Sequence, residues 1–255
     1  MAELREIVSF LDVELKVKEI DDASLNGLQF EGKPRVTKVA CAVDACIPAF
    51  TEAAERGAQL ILVHHGMLWK GSDKTPSVFK GHWKKMLGVL FEHDLSVYAA
   101  HLPLDLHPEL GNNAVLAEML GLRQVKPWAG YHGVDIGFKG SLSREESIES
   151  IAKRLSSSVG FGVKVLAYGK NSAKHVGVVS GGGGSCVEEA AELELDLFVT
   201  GELNQASARL ARDLGLSVIA AGHYATETLG VKEIAPLLQG KFKVESFFVD
   251  APTGV

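Results

Sequence analysis

Four short stretches carry side chains that can bind a metal ion or move a proton: VHHGMLW (63–69), AAHLPLD (99–105), TGEL (200–203) and AGHYATE (221–227). They supply His64, His65, His101, Asp105, Glu202, His223 and Glu227. Neutral imidazoles with carboxylates suit Zn, Fe, Mn, Ni or Co. No thiolate cluster accompanies them, which argues against a finger-type structural zinc site. His223 and Glu227 are four residues apart, so a helix starting near Tyr224 puts both on one face. Singly, each motif reads as a strand end or a turn, with Asp105 as a helix cap. Together they point to a metal site, because each follows a different apolar run, and ligands of open α/β sheets gather beyond the carboxyl ends of strands.

Those runs must be the positioning elements. VTKVACAVD (36–44), AQLILVHH (58–65) and LSVYAAHL (95–102) read as strands, alternating with helical patterns at 45–57, 78–94 and 112–122. Near-continuous apolar strands between helices predict an α/β fold with parallel or mixed sheets. The Gly- and aromatic-rich segment 126–143 reads as a crossing between two lobes, with His132 in it. A helix follows, with a capping box from Ser143 to Glu146. Strands are again expected near 174–180, 195–203 and 216–223. The expected division is residues 1–125 plus 218–255 as a metal-binding lobe and 126–217 as a second lobe.

Composition limits the alternatives. The chain has 255 residues, 46% of them hydrophobic, and a net charge of −6. That balance disfavours a broad nucleic-acid surface. No apolar run reaches the roughly 18–20 residues of a membrane span. The amphipathic start is not a signal peptide. Three cysteines without a CxxC fit a reducing compartment, the cytoplasm. SGGGGSC (180–186) lacks the features of a P-loop or a dinucleotide fingerprint and reads as a tight turn, with a phosphate cradle as the alternative. Cys186 reads as a buried thiol. His82 and His93 read as solvated, His107 as a loop residue and His175 as a strand start.

With NGLQFEG (26–32), AAHLPLDLHPELGNN (99–113), SGGGG (180–184), AGHYATETLG (221–230) and the FFVDAPTGV ending, the four stretches resemble the GTP cyclohydrolase 1 type 2-like family over essentially the whole chain. The resemblance implies two α/β lobes with a metal cleft between them, in the short form without a central inserted domain. It implies two divalent metal ions per subunit, held by His64, His65, Asp105, His223 and a bridging Glu227, with His101 auxiliary. It also implies a homohexamer, a toroidal trimer of dimers. The function expected is metal-dependent hydrolysis of a small-molecule substrate, with Asp105 or Glu202 as general base through water. The alternative is a non-enzymatic metal-binding assembly or adaptor acting through protein partners.

Overall fold

A computed structural model describes residues 1–71, 75–131, 133–160 and 162–254. His132 lies outside them. The chain divides into two compact units: residues 1–107 with 231–252, and residues 108–230 with the last few from Thr253.

The first unit holds β1 (Ala2–Glu3), α1 (Leu4–Glu14), β2 (Gly27–Phe30), β3 (Arg35–Val36), β4 (Lys38–Asp44), α2 (Ile47–Glu55), β5 (Leu60–His65), α3 (His82–His93), β6 (Ser96–Ala99) and the one-turn helix α4 (Leu102–Asp105). The second holds α5 (Asn112–Met119), β7 (Arg123–Tyr131), β8 (Val134–Ser147), α6 (Ile148–Val159), β9 (Lys164–Leu166), β10 (Ser172–Val179), a 3₁₀ turn (Gly183–Cys186), α7 (Val187–Glu192), β11 (Leu197–Thr200), α8 (Gln205–Asp213) and β12 (Ser217–Ala220). Helix α9 (His223–Phe242) starts in the second unit, and its residues from Val231 belong with the first, which β13 (Glu245–Phe248) completes.

Each unit is a sheet with helices on it, as the apolar runs require. In the first, strands run in the order β13-β4-β5-β6-β2, parallel except for the edge strand β2. Residues 60–64 of β5 are all buried. Ala49, Phe50 and Ala53 of α2 and Met86 and Leu90 of α3 pack on Ile61, Val63 and Val97. In the second, the order is β7-β8-β10-β11-β12-β9, with β10, β11 and β12 parallel. One sheet face packs Leu142, Val178 and Val199 with Leu116 of α5 and Ile151 and Leu155 of α6. The other packs Trp128, Phe198 and Val218 with Val187 of α7 and Ala211 of α8. The α/β class expected from the runs holds.

Three expectations need revision. Segment 126–143 is no crossing: it forms most of an antiparallel β7–β8 hairpin at one sheet edge, pairing Trp128 with Gly137. Its glycines serve close packing, since a Cβ on Gly137 would collide with the Val178 carbonyl. The capping box is displaced, because Glu146 and Ser147 still pair with Ala173 and Ser172 of β10. Ser147 caps α6 instead, its Oγ accepting from the Ser150 N–H at 3.2 Å. The unit boundaries also differ from 125/126 and 217/218. Asn113 ties residues 108–125 to the second unit, its Nδ2 donating to the Ile136 carbonyl at 2.7 Å and its Oδ1 accepting from the Ser180 N–H at 2.6 Å. At the other boundary, the Gly230 N–H donates to Asn112 Oδ1 at 2.8 Å. His223 and Glu227 therefore fall in the second unit.

Candidate metal centre

In the first unit, β5 ends on His64 and His65, and β6 leads through Ala100 to His101. The strands are neighbours and parallel, so their ends coincide. One ring nitrogen from each of His64, His65 and His101 lies within 4.8 Å of the others. His64 is fully buried and the other two are half-buried. Helix α4 then turns the chain back. The Asp105 N–H bonds the His101 carbonyl at 3.2 Å, and Asp105 Oδ2 lies 3.6 Å from His64 Nε2. Asp105 is thus the last residue of its helix rather than a cap.

The Nδ1 atoms fix the chemistry of these rings. His64 Nδ1 lies 3.0 Å from the Ala100 carbonyl oxygen. His65 Nδ1 lies 2.8 Å from Asp44 Oδ1. His101 Nδ1 lies 3.0 and 3.1 Å from the two oxygens of Asp22. A carbonyl and an ionised carboxylate only accept, so each Nδ1 carries a proton and Nε2 is the atom left to offer a lone pair to a metal ion. Histidines that ligate metals are held in this way by acceptors behind them. The donor set fits a divalent ion.

Residues that the motifs did not single out do this holding. Asp44 and His65 are register partners on β4 and β5, so topology sets them side by side. Asp22 is buried and also accepts from the Ser24 N–H at 3.1 Å, Asn26 Nδ2 at 2.8 Å and the Leu102 N–H at 2.9 Å. Burial works against its charge, but the His101 bond and charge, with Asn26 and Ser24, outweigh that and hold the carboxyl well below the usual range. Asn26 Oδ1 accepts from the His101 N–H at 2.8 Å. Gln29 Oε1 accepts from the N–H groups of Met67 and Leu68 at 2.6 and 3.1 Å, and a Cβ on Gly66 would run into that amide. NGLQFEG is thus an edge strand whose polar side chains brace the turns after His65 and before His101.

In the second unit, β12 ends at Ala220, Gly222 takes φ +92°, and α9 opens on His223. His223 Nε2 lies 3.1 Å from Glu227 Oε1, one helical turn on, and Nδ1 lies 3.1 Å from Glu202 Oε1. Glu227 is buried and Glu202 exposed. The Glu227 hydrogen bond, partly opposed by burial and aided by both carboxylate charges, raises the His223 pKa to about 9. The SGGGG turn lies against the pair: a Cβ on Gly181, at φ +60°, would strike the Glu227 carboxylate. Three of its N–H groups are engaged within the fold. Ser180 donates to Asn113, Gly181 to Thr226 Oγ1 and Gly183 to Thr200 Oγ1. These bonds and the close approach to Glu227 accord with the tight-turn reading. Cys186 beside it is buried, which pushes its thiol pKa up.

The sequence model of Duf34/NIF3, NGG1p interacting factor 3, matches residues 2–253. The chain belongs to the Duf34/NIF3 family. A Pyrococcus abyssi relative called "GTP cyclohydrolase 1 type 2 homolog" is 44% identical over 99% of this chain and 100% of its own. An Archaeoglobus fulgidus relative of that name is 37% identical over 99% of both. Among solved structures, the Thermus thermophilus protein TTHA1606 is 39% identical, with a TM-score of 0.90 over 100% of both chains. Protein ybgI, described as of unknown function, is 32% identical, with a TM-score of 0.92 over 100% of both. Both solved structures therefore share this chain's fold over its whole length. Among the described residues, no helix is long and apolar enough to cross a membrane.

Proposed function

We propose that this NIF3-family protein binds two divalent metal ions and uses them to hydrolyse a small molecule. The observation that supports it best is the set of three imidazoles, each held at Nδ1 by an acceptor that turns its Nε2 lone pair over to a ligand. His64, His65 and Asp105 in the first unit, and His223 and Glu227 in the second, would hold the metal. His101 is auxiliary. Asp22, Asp44 and Glu202 are positioning residues. Divalent ions there supply Lewis acidity, polarising a carbonyl or phosphoryl group and acidifying water. Asp105 would accept a proton, its carboxylate standing 3.6 Å from His64 Nε2. Glu202 lies on His223 Nδ1, where it fixes that ring's orientation as the other acceptors do for theirs.

Elemental analysis of protein purified without added metal tests the binding. About two ions per chain are expected, falling sharply in His65→Ala; equal content in both proteins overturns the ligand assignment. Turnover is then sought with nucleotides, phosphoesters and cyclic amides, and must vanish in His64→Ala. A second reading, a metal-binding adaptor in a homohexamer, draws on the family's description as an interacting factor. Full metal loading without turnover, together with specific capture of one partner protein, favours it.

A further inference from the structure

The second unit carries a separate basic cavity of about 490 Å³, within the range of small-molecule sites. Gln124, Lys126, Lys139, Ser141 and His175 line it, with Leu193 and Leu195 on its apolar side. Among the described residues, none that line it is acidic, although the chain as a whole carries −6. Lys126 and Lys139 are directly opposed on β7 and β8. Like charges in that register destabilise a sheet. Among the described residues neither lysine has an ion-pair partner. Protection of a sheet edge by lysine would account for Lys126 on the edge strand β7. It does not account for Lys139, which is half-buried on β8, inside the sheet. The strand is also deformed here. The β7–β8 register shifts between Arg123 and Lys126, and Gln124 in the bulge takes φ +53°. A non-glycine residue in that region costs about 1–3 kcal/mol and tends to mark functional sites. His175 Nδ1 lies 3.1 Å from Ser141 Oγ at the cavity wall. The nearby Asp196 accepts from Lys170 and from the N–H groups of Lys174 and His175, and lines an adjoining groove with Glu194.

We infer that this cavity binds a compact organic phosphate, with the phosphoryl group between Lys126 and Lys139 and the apolar part against Leu193 and Leu195. The ligand cancels the repulsion that the opposed lysines otherwise leave in the sheet. Titration calorimetry with inorganic phosphate and adenosine 5′-monophosphate tests it on the purified protein and on Lys126→Gln and Lys139→Gln. Both probes are expected to bind the wild type, the nucleotide more tightly. Each variant should weaken binding by about tenfold, as losing one charge-assisted hydrogen bond does. Thermal unfolding supplies an independent readout. Without phosphate, Lys139→Gln should unfold no lower than the wild type, and phosphate should stabilise the wild type alone. No binding at about 10 mM probe, a dissociation constant too weak to register, overturns the site. So does binding that both variants retain, because the phosphate then sits elsewhere, including at the metal centre.

Discussion

Asp22 offers the sharpest test of how the histidines are held. Its buried carboxylate accepts from four groups: the Ser24 N–H, Asn26 Nδ2, His101 Nδ1 and the Leu102 N–H. Asp22→Ala strands all four. At a net ~1 kcal/mol for each hydrogen bond, the loss sums to about 4 kcal/mol. For a chain of this size that is roughly 8–16 °C of melting temperature. Asp22→Asn keeps the volume but leaves one accepting oxygen and turns an N–H₂ toward donors, so about half that loss is expected. The two variants also differ from the wild type in acid. The native carboxyl is held below its usual range, so its contribution is present above the ordinary carboxylate pKa of about 3.9 and is lost as pH falls below it. The acid slope of wild-type stability should therefore flatten in Asp22→Asn. The assay is urea unfolding of chelator-stripped protein from about pH 7 down to pH 3, across the ordinary carboxylate pKa at which the loss sets in. A urea-derived stability for Asp22→Ala within about 1 kcal/mol of wild type at pH 7 refutes the reasoning.

Other outcomes follow from the same geometry. In metal-free protein His223 should titrate near 9 by NMR, lowered most by Glu227→Gln and less by Glu202→Gln. Its charged form should stabilise the fold fully below pH 6.5, an effect lost as pH rises through about 9. Gly181→Ala should cost at least ~1–3 kcal/mol of backbone strain, and it should displace Glu227 and lower metal content; wild-type stability and loading would contradict this. Ser147→Ala should lose about 1 kcal/mol of helix capping, whereas Ser143→Ala should stay within ~0.5 kcal/mol; the reverse order would restore the capping box to Ser143.

The strands that carry the chemistry were legible because parallel, doubly covered strands must be apolar throughout, and LILVHH and SVYAA leave no other reading. Their endings in histidine pointed to the cluster His64, His65 and His101, which could hold a metal ion. What stayed hidden has one physical cause. Asp22 reaches His101 across 79 residues and Asp44 reaches His65 across 21, and only sheet order brings such pairs together. An isolated aspartate in a loop has no periodicity to betray it. The 126–143 hairpin was missed for a related reason. Its glycines and Trp128 are matched to neighbours on β10 and β11, such as Gly177 and Phe198, rather than to any local pattern.

The holding groups also say why the first unit calls for a cation. Asp22, Asp44 and Asp105 bring three carboxylates to three histidines, and the Nδ1 acceptors leave each ring's Nε2 as the atom that a metal ion or a proton can take. A cluster of three carboxylates, two of them buried, favours added positive charge. Either protons or a metal ion can supply it, and the two compete for the Nε2 lone pairs. Metal loading of this unit should therefore fall as pH drops, with protons taken up as the ion leaves. Asp44→Asn should weaken metal affinity by about 10–100-fold, the usual effect of losing an acceptor behind a ligand, with little change in fold because Asp44 is half-exposed. Unchanged affinity in that variant would mean that the Nδ1 acceptors shape the protein and not its metal centre.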